Sequence, residues 1–242
     1  MRNILSAFAI IIILINSVQI FSQDSSAIAN IDPKIVFEKY IDAIGGRDAL
    51  AKVEDKTTIM RGSAMGQSIT LIVKQKAPNK LRDEVKTGGM EQIVICDGEK
   101  ASMTVMDKKI ELREKELESL KIEADMGFML HPENFGVTLS YEGVEKINEK
   151  DAVKIKLQLP SGTKWYMYFD SESGFKVRED REVQTQMGSG VQTIDYSDYK
   201  EVEGIKYPFK IVQTFGGQAV DVTVTSIKVN KGLADDLFLV AE

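Results

Sequence analysis

The sequence predicts a mainly β protein, with about ten or eleven antiparallel strands in one sheet and helices laid against one of its faces. Three observations predict it. Apolar and polar residues alternate with a period of two through most of the chain from Thr57 to Val229. Turn-forming pairs punctuate that pattern at hairpin spacing, among them Asp97-Gly98, Ser161-Gly162, Ser173-Gly174, Glu203-Gly204 and Gly216-Gly217. Helical spacing occurs only before Thr57 and between Glu111 and Leu130.

The elements follow in order. Asp32-Pro33 opens a helix, with Asp as N-cap and Pro in the first turn. Ile35, Val36, Tyr40, Ile41 and Ile44 recur at helical spacing, and Gly45-Gly46 stops them. A short second helix follows at about Arg47 to Val53. Ser68–Lys74 then places Ile69, Leu71 and Val73 on one face. Ala77-Pro78-Asn79 turns the chain into Lys80–Lys86, and Gly88-Gly89 turns it into Met90–Cys96. Asp97-Gly98 leads into Ala101–Met106. Glu111–Leu130 mixes leucines and charges at a spacing that fits one or two helices, stopped at His131-Pro132. Seven further strands read from Val137 to Val229. A sheet this long must curl or close to bury its apolar face. Helices placed before and within the meander can cover that face. The alternation leaves open which face is concave.

Residues 1–22 have the layout of a cleaved secretory signal. Arg2 precedes an apolar run from Ile4 to Ile15, shorter than the roughly 20 residues that span a bilayer. Residues 23–242 then form one domain. Without Arg2 there are 30 basic residues against 37 acidic ones, a net charge of −7. An acidic, exported domain is a poor match to nucleic acid, which wants a basic face. The single cysteine, Cys96, excludes an internal disulfide and leaves no cysteine near residue 22 to carry a lipid anchor.

Catalytic chemistry has little to work with. The one histidine, His131, reads as a helix-end residue, and Cys96 as a buried thiol. One His and one Cys make no zinc set, and no nucleophile-elbow or GxGxxG pattern is present. The expectation is a protein that is not an enzyme and needs no metal or cofactor. What remains is apolar. Nine methionines follow residue 22, and Met suits surfaces that adapt to variable apolar ligands. The candidate lining is Met60, Ile69, Leu71 and Val73 on early strands, Met126, Phe128 and Met129 on the helical insertion, and Trp165, Met167 and Phe169 on one face of Lys164–Asp170. Val220, Val222 and Val224 likewise share a face.

Five segments resemble the periplasmic lipoprotein-carrier family, the LolA/LolB-like outer-membrane lipoprotein-sorting proteins in their Bacteroidetes-type version. They are YIDAIGGRDAL (Tyr40–Leu50), LIVKQKAPNKLR (Leu71–Arg82), ICDGEK (Ile95–Lys100), and the later hairpins FDSESGFKVR (Phe169–Arg178) and Tyr196–Ile211. The resemblance implies a strongly curved antiparallel half-barrel with helices closing its concave side. It also implies a hydrophobic cavity that holds acyl chains of lipoproteins or other lipids in the periplasm, and membrane-associated donor and acceptor proteins. The family keeps its lid shut with an arginine on an early strand, for which Arg61 and Arg82 are the candidates. The Gly-Gly helix signature and the Met-rich lining depart from the well-studied carriers. The expected function is a monomeric periplasmic carrier. The alternative is a chaperone-like module that binds a polypeptide at the open sheet.

Overall fold

The computed structural model describes residues 31–240 apart from 65, 186 and 187. The expected leader over residues 1–22 lies outside the described residues, as do Met65 and Met187. Thirteen strands form one antiparallel sheet that does not close into a barrel. They are β1 Asp55–Ala64, β2 Gln67–Lys76, β3 Lys80–Thr87, β4 Met90–Cys96, β5 Ala101–Val105, β6 Lys108–Leu112, β7 Thr138–Ile147, β8 Lys150–Gln158, β9 Lys164–Asp170, β10 Lys176–Thr185, β11 Gly188–Val202, β12 Ile205–Phe215 and β13 Gln218–Val229.

The count exceeds ten or eleven partly because of β6. Its turn, Met106-Asp107, contains no glycine, yet both residues take positive φ (48° and 63°). That is the backbone a two-residue hairpin requires, reached by residues that do not advertise it. The expected turn at Glu203-Gly204 takes the same form, with φ of 51° and 79°.

The spatial order is β6-β5-β4-β3-β2-β1-β13-β12-β11-β10-β9-β8-β7. Two meanders therefore meet in the middle of the sheet, where β1 pairs with β13. The buried carboxylate of Asp55 fastens this seam by accepting from the backbone N–H groups of Lys231 (2.9 Å) and Gly232 (2.8 Å). The two free edges, β6 and β7, are consecutive in sequence. The chain between them has to travel from one edge of the sheet to the other.

That crossing segment holds helix α3 (Glu114–Ala124) and two 3-10 turns, Phe128–Leu130 and Pro132–Phe135. Leu117, Leu120 and Ala124 pack on Leu81, Cys96, Ala101 and Leu112 of the first meander. Ile122, Phe128 and Val137 pack on Ile155, Leu157 and Trp165 of the second. The segment thus roofs the concave face by touching both halves.

Helix α1 (Pro33–Ile44) covers the remainder of β8 and β9. Asp32 caps it, its Oδ1 accepting from the Lys34 N–H at 2.9 Å. Val36, Phe37, Ile41 and Ile44 are buried, and the rings of Phe37 and Tyr40 lie 5.6 and 5.5 Å from Phe169. Each such large apolar side chain contributes about 1.5–3 kcal/mol on burial. Gly45, at φ 138°, ends the helix against the β11–β12 turn, and a β-carbon there would lie 2.4 Å from the Gly204 carbonyl oxygen. Helix α2 is Arg47–Leu50. Among the described residues, no helix is long and apolar enough to cross a membrane.

Candidate functional site

Cross-strand partners in an antiparallel sheet share a face, so the register settles which face is concave. Leu81, Cys96, Ala101 and Leu112 align across β3 to β6 and carry α3. Met60, Leu71 and Val85 align along the same face, as do Val73, Asp83, Val94 and Met103. From the other side, Val220, Gln213, Ile194, Glu179, Met167 and Ile155 form one row, and Arg181 stands beside Trp165 in the next.

This concave surface has two regions. The first is a trough of Met60, Ile69, Leu71, Val222 and Val224, all buried, with Val73, Val85, Phe209, Ile211 and Val220 packed against them. These side chains come from β1, β2, β3, β12 and β13, so the curled sheet fills this region by itself. The second region lies under the helices and holds a half-open cavity of about 270 Å³.

The cavity is amphipathic. Its apolar lining includes Ile41, Ile44, Ile122, Met126, Phe128, Met129, Trp165 and Met167. Its polar lining, the polar wall below, includes Lys56, Glu123, Asp125, Lys176, Glu179, Arg181 and Lys206, with Tyr40, Tyr196, Tyr199 and Tyr207. Glu179 is fully buried and takes Arg181 Nε on one carboxylate oxygen (2.5 Å) and Lys176 Nζ on the other (2.8 Å). The Tyr196 hydroxyl donates to the second oxygen at 3.3 Å. Burial alone would raise the Glu179 pKa, but the charges of Arg181 and Lys176 prevail and hold it at about 2. Arg181 also stacks over Trp165, 4.5 Å from the ring, and reaches Glu123 on α3 with its Nη1 (2.6 Å). Lys176 lies over Tyr196 at 4.5 Å. Arg181 therefore joins a buried carboxylate on the sheet to a carboxylate on the roof. A second tie comes from the Gln75 side chain, which donates to the Glu123 carbonyl at 2.8 Å.

The expected lining residues fall into both regions. Met60, Ile69, Leu71 and Val73 belong to the trough. Met126, Phe128, Met129, Trp165 and Met167 line the cavity. Phe169 is buried beneath α1 against Phe37 and Tyr40. Arg61 is exposed on β1, on the face opposite Met60. Arg82 pairs with Glu84 at 2.8 Å and donates to the Leu237 carbonyl at 3.4 Å. The arginine that contacts α3 is Arg181. Cys96 is fully buried, which pushes its thiol pKa up. His131 is partly exposed, 4.0 Å from Asp125. Among the described residues, no three His, Cys, Asp or Glu side chains gather into a group able to hold a metal.

The polar wall was missed in the sequence. KVREDREVQT (Lys176–Thr185) carries charges on both faces and reads as a solvated strand. One signal was available: such a strand sits between neighbours with buried faces, so half of its charges must be paired inside.

Solved structures share this architecture. A DUF1329 family protein from Desulfovibrio piger aligns at TM-score 0.56 and 12% identity, over 87% of this chain and 98% of that one. A LolA superfamily protein from Nitrosomonas europaea gives 0.57 and 12%, over 86% and 98%. A putative outer membrane lipoprotein-sorting protein domain from Vibrio parahaemolyticus gives 0.52 and 10%, over 85% and 95%. No protein-family model matches the sequence, and no curated protein matches it. The likeness is one of fold: this chain has the curved, helix-roofed sheet seen in LolA superfamily proteins.

Proposed function

We propose that the protein is a periplasmic carrier that shelters acyl chains of lipoproteins or other lipids between the curved sheet and its helical roof. The observation that carries this is the construction of the roof. The segment from Arg113 to Val137 crosses the whole concave face, yet beyond the local Arg113–Glu111 pair at its start its ion-pair tie to the sheet among the described residues is Arg181–Glu123. A roof tied at few points can lift without unpairing a strand.

The physical account is as follows. An acyl chain gains about 0.8 kcal/mol for each CH₂ removed from water. The cavity of about 270 Å³ is smaller than the roughly 300–1,000 Å³ of ordinary ligand pockets, so the closed form holds only part of a cargo. Lifting α3 uncovers Leu81, Ala101 and the adjoining trough, and merges the two regions into one apolar groove. Met126 and Met129 at the mouth adapt to chains of different length. The leader-like layout of residues 1–22 and the fold shared with a putative lipoprotein-sorting domain support the periplasmic assignment.

The test is extraction. Protein purified without detergent is denatured and its extract examined by mass spectrometry for acyl lipids, beside displacement of a fluorescent fatty acid. The expected result is a stoichiometric acyl ligand that is lost when Met126 and Met129 are both changed to Asp. An empty protein that ignores fatty acids but captures unfolded polypeptide would instead point to the chaperone-like alternative.

A further inference from the structure

Among the described residues, two lysines that line the cavity make no salt bridge, the exposed Lys206 and the partly buried Lys56. Lys56 enters the cavity from β1, and its Nζ lies 5.2 Å from the centre of the Tyr207 ring. Lys176 and Arg181 are both committed to Glu179, and Arg181 to Glu123 as well. Lys56 makes no salt bridge among the described residues, and the one charge acting on it is the like charge of Lys176. Burial, with Lys176 adding to it, pulls the Lys56 ammonium pKa down to about 8. A desolvated cation beside a like charge costs free energy, and a bound anion removes that cost. The Tyr207 phenol, pushed up to about 12 by burial, stays protonated as a hydroxyl donor in the same corner.

We infer that Lys56 and Tyr207 form a head-group site for an anionic amphiphile, with the carboxylate or phosphate on the Lys56 ammonium and the chain running onto Met126, Phe128, Trp165 and Met167. The inference rests on the carrier reading and narrows it. The geometry favours this class for two reasons. The anion-seeking group and the apolar side chains line the same cavity of about 270 Å³, so one molecule touches both. That volume also matches a small head with the start of a chain. An ammonium is a compact point charge that accepts carboxylate or phosphate alike, so the site specifies an oxyanion head rather than one particular lipid.

The experiment compares ligands that share one chain. Oleate, oleyl phosphate and oleyl alcohol are titrated into the protein by calorimetry, with inorganic phosphate and acetate as chainless anions. The expected result is that the two anionic amphiphiles bind tenfold or more tighter than the alcohol, and that the chainless anions neither bind measurably nor compete. Lys56→Met should bring oleate to the affinity of the alcohol, and Lys56→Arg should keep the preference, with both variants checked by thermal melting. The comparison of oleate with alcohol on the unmodified protein needs no variant at all. Equal affinities for oleate and the alcohol, or an anion preference that survives Lys56→Met, overturn the head-group site while leaving the carrier reading intact. Inorganic phosphate competing with oleate in the same concentration range overturns it in favour of a free-anion site. Failure of all three oleyl ligands to bind overturns both.

Discussion

The two regions of the concave face are filled in opposite ways. Around Met60, Leu71, Val222 and Val224 the sheet curls until its own side chains meet, and the interior there is apolar. Around Glu179 the sheet meets the roof through a paired network of Arg181, Lys176 and Glu123, with a half-open cavity beside it. Apolar packing is non-directional, so an acyl chain can replace one hydrocarbon neighbour with another at little cost. The buried pairs of Glu179 with Arg181 and Lys176 are directional and costly to break, so they fix the Arg181 guanidinium that meets Glu123 on the roof. On the proposed reading, the trough stores and the network latches.

The comparison can be broken most severely in the trough. Val222→Asp puts a carboxylate where no cation is available, and should destabilise the protein by about 4 kcal/mol or more, read as a fall in the denaturant midpoint. A mild effect would mean that the trough admits water. Next comes Glu179→Gln, which leaves Arg181 and Lys176 buried without their shared anion. The expected loss is about 3–5 kcal/mol, partly restored when Arg181→Met is added. The pH dependence has a defined sign. A carboxylate held below its ordinary value stabilises the fold above about pH 4.5, and that contribution is lost as the pH falls through about 2. The Glu179→Gln variant should lose this acid transition.

A smaller effect lies on the border between the regions. Asp83 stands in register between Val73 and Val94, and its Oδ1 has no hydrogen-bond partner. Burial, reinforced by Glu123 and Glu84, pushes it up from 3.8 to about 6. A carboxyl raised in this way costs stability once it ionises, so stability should fall as the pH rises from about 4 to about 6. Asp83→Asn should therefore raise the melting temperature at pH 7 by a few degrees, at about 2–4 °C per kcal/mol, and change nothing below about pH 4. The smallest global effect belongs to Glu123→Gln. Its carboxylate is partly exposed, so the pair contributes less than about 1 kcal/mol to overall stability. Amide exchange over Glu114–Ala124 should nonetheless rise by up to about fivefold while β9 is unchanged. Equal acceleration in both would mean that α3 does not open independently of the sheet.

The sequence carried the walls of this molecule better than its interior. Alternation revealed the faces of β2, β9 and β13, and Asp32-Pro33 with Gly45-Gly46 bounded α1, because those signals are local. Strand β6 was hidden by a hairpin turn without glycine. The apolar half of the site was legible as well, since Met60, Leu71, Met126 and Trp165 stand out by residue type. The charged half was not. Lys56 lies on β1 and Glu179 and Arg181 on β10, two stretches far apart in sequence, and only the curl of the sheet and the passage of α3 overhead bring them to one cavity. Arginine candidates sought near the first strands, Arg61 and Arg82, stand elsewhere for the same reason: strand order decides what lies opposite the roof.

The protein has one tryptophan, and Trp165 lines the cavity against Arg181. A fatty acid brominated along its chain quenches an indole only on close approach, so titrating dibromostearate while following Trp165 fluorescence tests the central claim directly. The account predicts saturable, stoichiometric quenching that unbrominated stearate reverses by competition, with faster onset in Glu123→Gln. Emission that stays constant up to the solubility limit of the fatty acid, in both proteins, would contradict an acyl chain beneath the roof.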